Sequence, residues 1–220
     1  MEISKQTLEV LKNFSQINNN LLFKVGNEIS TESTSRDLIA EVTLPETFPQ
    51  EAGIYNLNEF LGVVSLFTTP KFDFEKAHMT ISEGNNKIKY AYADASLLSV
   101  PKRKITMPQS DIDFTITQEH LSKLHKAATI LGLKDMAIIG ENGNITVQVY
   151  DSTNATTNKF AINVESPVDI DFTVVIKVEK LKFYSGDYDV SLSKRRISRF
   201  AHREMALTYY VAIDPISTFD

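Results

Sequence analysis

Two stretches of the chain repeat one pattern of apolar positions. ISKQTLEVLKNFSQI runs from Ile3 to Ile17, and ITQEHLSKLHKAATI runs from Ile116 to Ile130. Ile, Leu, Leu and Ile stand at the first, sixth, ninth and fifteenth places of both. In the first stretch Leu8, Leu11, Phe14 or Ser15, and Ile17 or Asn18 follow the helical period. Ser4 is placed to cap the helix start, and the run Asn18 to Asn20 stops it. Lys5, Glu9, Lys12 and Gln16 then form a polar face opposite the leucines. In the second stretch Thr117 is the cap, and Leu121, Leu124, Ala128 and Leu131 form the expected buried stripe. Gly132 ends the helix, because glycine tolerates the left-handed conformation of a C-terminal cap.

Alternating positions predict strands between and after these helices. LLFKVGNEIS, with a turn at Gly26-Asn27, RDLIAEVTL and FDFEKAHMTIS are read as strand segments. KIKYAYA follows a turn at Glu83 to Asn86, and ASLLSV is read as one more short strand. YNLNEFLGVVSLF is a short apolar helix capped by Asn56 or Asn58. PKRKITMPQSDID fits no period and reads as an extended linker. After it the order restarts. DMAIIGENGNITVQVY is a hairpin turning at Asn142-Gly143, and NKFAINV, DIDFTVVI, DYDVSLS and LTYYVAID are strands. KVEKLKFYSG is a second short helix or turn. The chain therefore reads twice as helix, hairpin, strands, short helix, strands, with Ile116 lying 113 residues after Ile3.

Composition narrows the class. The chain has 220 residues, enough for one large domain or two small ones. It contains no cysteine, which excludes disulfides and thiolate metal sites. It opens with polar residues that lead straight into a helix, and no apolar run is long enough to span a bilayer. A cytosolic location is expected. The formal net charge of −5 argues against tight, wrapped nucleic-acid binding unless the cations are segregated.

Catalytic signatures are sparse. No phosphate-binding loop and no nucleophile elbow occurs. Of His78, His120, His125 and His202, only His120 and His125 lie close in sequence, and they sit on different helix faces, so all four read as surface histidines. Asp169 with Asp171, and Asp187 with Asp189, alternate along strands and share a face in each pair. They leave open a metal-dependent nuclease, although such a site needs carboxylates converging from several elements. No cofactor and no metal site is expected.

Cations are concentrated on particular elements. Lys5 and Lys12 lie on the first helix, and Lys123 with Lys126 on the second. Lys177, Lys180 and Lys182 mark the second short helix. Lys194, Arg195, Arg196, Arg199 and Arg203 fill the last hairpin, which suits either DNA or a docking protein. A single exposed lysine is usually solubilising, but amphipathic helices with cationic outer faces recur here.

ISKQTLEVLKNFSQINN, IYNLNEFLGVVSLF and the ending TYYVAIDPISTFD together resemble the sliding clamp of T4-type bacteriophages, over essentially the full chain. The resemblance implies an α+β fold of two similar DNA-clamp domains, with two helices under antiparallel sheets in each. The expected boundaries are 1–100 for the first domain, 101–113 for the connector and 114–220 for the second domain. Three chains would join head to tail as a homotrimeric ring around double-stranded DNA, without enzymatic activity. The expected partners are the phage DNA polymerase, an ATP-dependent clamp loader and late-transcription factors, in the host cell cytoplasm, with no membrane.

The same resemblance assigns roles to residues. Lys5, Lys12, Lys123, Lys126, Lys177 and Lys180 would face DNA. Edge strands Ala95–Val100 and Lys159–Val164 would join neighbouring subunits, through Leu97, Leu98, Phe160 and Ile162. Leu38, Ile105, Ile213 and Pro215 would line a pocket for partner peptides beside the connector. A phage scaffold protein using this fold without DNA remains a rival to the clamp, as does the nuclease.

Overall fold

The computed structural model describes residues 1–154 and 156–219. The chain divides into two compact units, Met1–Lys104 and Ile105–Asp220. The division falls inside the segment expected to be the connector, and residues 98–111 form neither helix nor strand.

The first unit begins with α1 (Lys5–Ile17). The Ser4 hydroxyl accepts the Thr7 N–H at 3.2 Å, as a cap should. A carboxylate from a distant strand completes this helix end. Glu46 accepts the Ser4 N–H and, at 2.6 Å, the Thr7 hydroxyl. Strands β1 (Leu21–Phe23), β2 (Gly26–Glu32), β3 (Leu38–Phe48) and β4 (Ala52–Ile54) follow. β1 pairs antiparallel with β4, and β2 with β3. Next come α2 (Leu57–Val64), β5 (Lys71–Phe74), β6 (His78–Glu83) and β7 (Asn86–Ala91). Asn56 caps α2 by accepting the Glu59 N–H at 3.0 Å. The last three strands form a sheet in the order β5-β6-β7, so β7 is an open edge.

α1 packs against α2 and under β2 and β3. Val10, Leu11 and Phe14 are fully buried. A chain of rings carries the core onward. Phe23 lies 4.5 Å from Phe48 and 6.2 Å from Phe60, and Phe60 meets Tyr90 edge-on at 5.4 Å.

The second unit contains β8 (Ile112–Ile116), α3 (Gln118–Leu131), β9 (Asp135–Glu141), β10 (Asn144–Tyr150), β11 (Phe160–Pro167) and β12 (Phe172–Lys177). β13 (Tyr188–Ser193), β14 (Ile197–His202), β15 (Leu207–Ala212) and β16 (Thr218–Phe219) complete it. One sheet runs β11-β10-β9-β12-β16, with β11 at its open edge, and β8, β13, β14 and β15 pair in succession in another. Asn142 and Gly143 turn β9 into β10 with φ of 52° and 78°, the left-handed pair that a two-residue hairpin needs. Gly132 ends α3 at φ 66°.

Several local expectations fail, among them the turn at Gly26-Asn27, since both residues lie in β2 with Gly26 opposite Phe48. ASLLSV is no strand. Ala95–Leu97 is a single 3-10 turn capped by Asp94, and the edge strand of that sheet is β7. Leu98 lies against Gly53, where an added Cβ would stand 3.0 Å from its Cδ1. Leu131 is 40% exposed, because α3 buries only Leu124 and Ala128 deeply. The second helix expected in the second unit shrinks to a 3-10 turn at Val178–Lys180. Two tyrosines hold the following backbone in another path. The Tyr209 hydroxyl accepts the Tyr184 N–H at 2.9 Å, and the Tyr188 hydroxyl donates to the Tyr184 carbonyl. Phe183 is thereby seated 4.7 Å from Phe200 and 4.8 Å from Tyr209. Finally, His202 is not a surface histidine. It is buried, with Nε2 3.0 Å from the Ser185 carbonyl and Nδ1 accepting the Glu204 N–H at 3.1 Å.

Candidate nucleic-acid interface

α1 presents the predicted polar face. Lys5, Lys12 and Gln16 are exposed, and Glu9 is half-buried. Seven residues are two helical turns, so Lys5 and Lys12 stand about 10 Å apart along one face. Lys12 is neutralised in part by Glu9 at 3.3 Å, whereas Lys5 has no ion pair among the described residues. Both ammonium groups remain open to solvent, where a pair of this kind is weak and easily exchanged.

α3 presents its cations differently. At the 113-residue offset Lys5 and Lys12 correspond to Gln118 and His125, while Lys123 and Lys126 correspond to Val10 and Asn13. Val10 and Asn13 are buried in α1, whereas Lys123 and Lys126 are exposed in α3. The reason is the neighbourhood. α1 has α2 beside it, whereas α3 packs mainly on β10 and β11. A wider sector of α3 therefore faces solvent. Lys123 pairs with Glu119 at 2.6 Å, and the hydrogen bond and charge of Lys123 hold the Glu119 carboxyl below its usual range. Lys126 has no ion pair among the described residues.

Lys177 has an internal task. Its ammonium binds the buried Asp135 carboxylate and lies 3.6 Å from Asp214. Its hydrogen bond to Asp135 raises the Lys177 pKa. Burial pushes the Asp135 carboxyl up, but hydrogen bonds from Lys177 and Ser152 outweigh it and leave the carboxyl below its usual range. Lys180 lies in the 3-10 turn and is half-buried.

The remaining predicted residues fall in separate places. Leu97 is 68% exposed on its turn, and Leu98 is half-buried. Phe160 and Ile162 lie half-buried on the open edge β11. The corresponding open edge of the first unit, β7, carries Ile88 and Tyr90, which periodicity alone did not single out. Beside it is a hollow of about 410 Å³ lined by Tyr55, Glu59, Lys89, Tyr90 and Tyr92 among others. Burial, then the Glu59 charge, raises the Tyr90 hydroxyl to about 12. Leu38 is buried at the start of β3. In the second unit Ile105 is half-buried, Ile213 buried and Pro215 exposed.

Asp169 and Asp171 do not alternate along a strand, because both lie in the connection between β11 and β12. Asp187 and Asp189 are occupied structurally. Asp187 accepts the Gln118 N–H at 2.7 Å at the start of α3, the same service Glu46 gives α1. Asp189 accepts the Thr115 hydroxyl at 3.0 Å and lies 3.5 Å from Arg203. Among the described residues no group of three or more His, Asp or Glu is placed to hold a metal ion. No helix among them is long and apolar enough to cross a membrane.

Comparison with known proteins agrees with this architecture. Residues 4–98 match the family described as DNA polymerase processivity factor, and residues 113–215 match gp45 sliding clamp, C terminal. The sliding clamp of Vibrio phage KVP40 is 32% identical, with 98% of this chain and 100% of that protein covered. The sliding clamp of Enterobacteria phage T4 is 26% identical, with both chains covered in full. Among solved structures, the A. fulgidus PCNA bound to the C-terminal region of FEN-1 aligns with a TM-score of 0.73 at 11% identity, covering 99% of this chain and 98% of that one. The Entamoeba histolytica Proliferating Cellular Nuclear Antigen aligns with a TM-score of 0.69 at 16% identity, covering 94% of each chain. At these identities the structures speak for the fold, which is the α+β fold of clamp rings. The phage relatives and the two matched families go further: the chain belongs to the sliding clamps of T4-like bacteriophages, which are non-enzymatic processivity factors.

Proposed function

We propose that three copies close head to tail into a ring around double-stranded DNA and tether the phage DNA polymerase for processive synthesis. The observation that carries this reading is the cation-bearing exposed face on one long helix of each unit, in a chain whose formal net charge is −5. Segregated cations on a negative protein give weak phosphate contacts that permit sliding, and topology supplies the retention. Lys5, Lys12, Lys123 and Lys126 face the DNA in this reading. Lys180 is a peripheral contact, and Lys177 acts within the protein.

The subunit contact in this reading joins β7 of one copy to β11 of the next. Both are open edges, which a monomer would leave exposed to unwanted pairing. Ile88 and Tyr90 would meet Phe160 and Ile162, and Lys87 and Lys89 would face the strand that carries Glu165. An ATP-dependent loader opens the ring in the host cell cytoplasm. The loaded ring also serves late-transcription factors, and short partner peptides dock near Leu38, Ile105, Ile213 and Pro215.

Three experiments test this. Light scattering across a dilution series should give three chains at high concentration and a falling mean mass on dilution. Loaded protein should then stay on nicked circular DNA and run off when the circle is linearised. Equal loss from both forms would overturn topological retention, and a strict monomer would overturn the ring. Lys5→Glu with Lys12→Glu should weaken loading while leaving the mass unchanged.

A further inference from the structure

The turn between β9 and β10 carries the one Asn-Gly pair in the chain, Asn142-Gly143. Glu141, Asn142, Gly143 and Asn144 are all exposed. The Asn142 carboxamide has no hydrogen-bond partner among the described residues. Gly143 brings no side chain to shield its backbone nitrogen from that carboxamide, and even an added Cβ would meet nothing within 4 Å.

The backbone around the pair is held. Glu141 pairs with Asn144 across the turn. The Asn144 carboxamide donates to the Asn142 carbonyl at 3.2 Å. The Gly143 carbonyl accepts the Val168 N–H at 3.2 Å, which ties the turn to the end of β11. Asn142 and Gly143 keep φ of 52° and 78° under these restraints. The side chain is open to chemistry while the backbone resists rotation.

We propose that Asn142 is a deamidation site whose rate is set by opening of this turn. The Gly143 nitrogen gives up its proton to hydroxide and attacks the Asn142 Cγ. The N–Cγ bond forms, the Cγ–Nδ2 bond breaks, and ammonia leaves, so that a cyclic imide remains. Water then opens the imide at either carbonyl, giving aspartate or isoaspartate with no oxidant or reductant. Closing the imide rotates the backbone out of the left-handed pair that the hairpin needs, so the held turn opens first. Either product adds a negative charge beside Glu141. Isoaspartate also lengthens the main chain by one atom, which a two-residue turn cannot absorb without disturbing register. β10 pairs with β11 as well, so the disturbance reaches the edge that joins subunits. That last consequence rests on the ring reading, whereas the modification does not.

The test is peptide mapping by liquid chromatography and mass spectrometry on the full chain, aged at mildly alkaline pH. The same chain unfolded in guanidinium chloride is the reference. Aspartate and isoaspartate should accumulate at position 142 before any other asparagine converts. Unfolding should speed conversion about tenfold or more, because it removes the cost of opening the turn. Asn144→Ala, an exposed change that deletes one of the holding hydrogen bonds, should quicken conversion in the folded chain about twofold or more. Faster conversion at another asparagine of the folded chain, equal rates in the folded and unfolded chains, or an unchanged rate in Asn144→Ala would overturn the proposal. Light scattering on fresh and aged samples tests the consequence for assembly. Aged protein should need a higher concentration to reach three chains, and equal assembly at half conversion would overturn that consequence. Fresh protein that stays monomeric would sink the ring reading alone, since the mass spectra decide the modification independently.

Discussion

Ile17 and Ile130 occupy the same place in two helices that share an apolar pattern, yet one is 7% exposed and the other 71%. Leu11 and Leu124, six residues earlier, are both buried. The pattern therefore fixes the centre of the buried stripe but not its width. Width depends on how many elements lean on the helix. α1 meets α2, β2 and β3, whereas α3 rests mainly on β10 and β11. Phe14 fills the extra space beside α1, and the aligned position on α3 is Ala127. The uncovered sector of α3 is where Lys123 and Lys126 stand.

The sharpest way to break this comparison is Phe14→Ala. Its ring is fully buried, so truncation should cost about 3–5 kcal/mol in urea unfolding. A cost under about 1 kcal/mol would mean that the helix is not clamped as described. Next is the pair Ile17→Ala and Ile130→Ala. The first should lose about 2–4 kcal/mol and the second should stay within about 0.5 kcal/mol. Equal losses would indicate that a further surface covers Ile130, as subunit contact or a bound partner would.

Lys177→Met tests the buried ion pair at the end of β12. It leaves the Asp135 carboxylate buried without its cation, at a cost on the order of 3 kcal/mol, toward the low end because Lys177 is a third exposed. The sign of the pH dependence follows from both shifts. The depressed Asp135 contributes stability above its unfolded pKa of about 3.9, and that is lost as pH falls through the lower folded value. The raised Lys177 contributes fully below about 10.4 and loses its contribution as pH climbs through the higher folded value. Lys177→Met should flatten both limbs in thermal melts across pH, and unchanged limbs would place the titration elsewhere.

The smallest expected effect concerns the helix ends. Glu46→Gln should cost about 1 kcal/mol, because a neutral amide is a weaker acceptor for the Ser4 and Thr7 donors and lacks the charge favoured at a helix start. Burial works against the Glu46 charge, but those hydrogen bonds prevail and the carboxyl sits below its usual range. Its contribution is present above about pH 4.3 and disappears as pH falls through the lower folded value. Asp187→Asn should show a comparable loss at the start of α3. An effect at only one helix would show that the two ends are not equivalent.

Local chemistry was legible in the sequence because it is read within a few residues. The caps Ser4, Asn56 and Thr117, the αL glycine Gly132 and the Asn142-Gly143 turn all depend on backbone donors and φ angles nearby. The cationic faces of α1 and α3 were legible for the same reason, since the helical period alone decides which residues share a face. The order of elements pointed to a duplication, and the resemblance to T4-type clamps implied the α+β architecture. Only the tertiary structure decided how much of each face is covered, because coverage depends on elements distant in sequence. It also assigned Glu46 and Asp187 to helix starts from 42 and 69 residues away, and gave Lys177 to a buried carboxylate. ASLLSV has the composition of a strand, but Asp94 caps it into a turn and β7 takes the edge. A propensity is settled locally, whereas a pairing partner, a covering helix or a buried counter-charge exists only once the chain has folded back on itself.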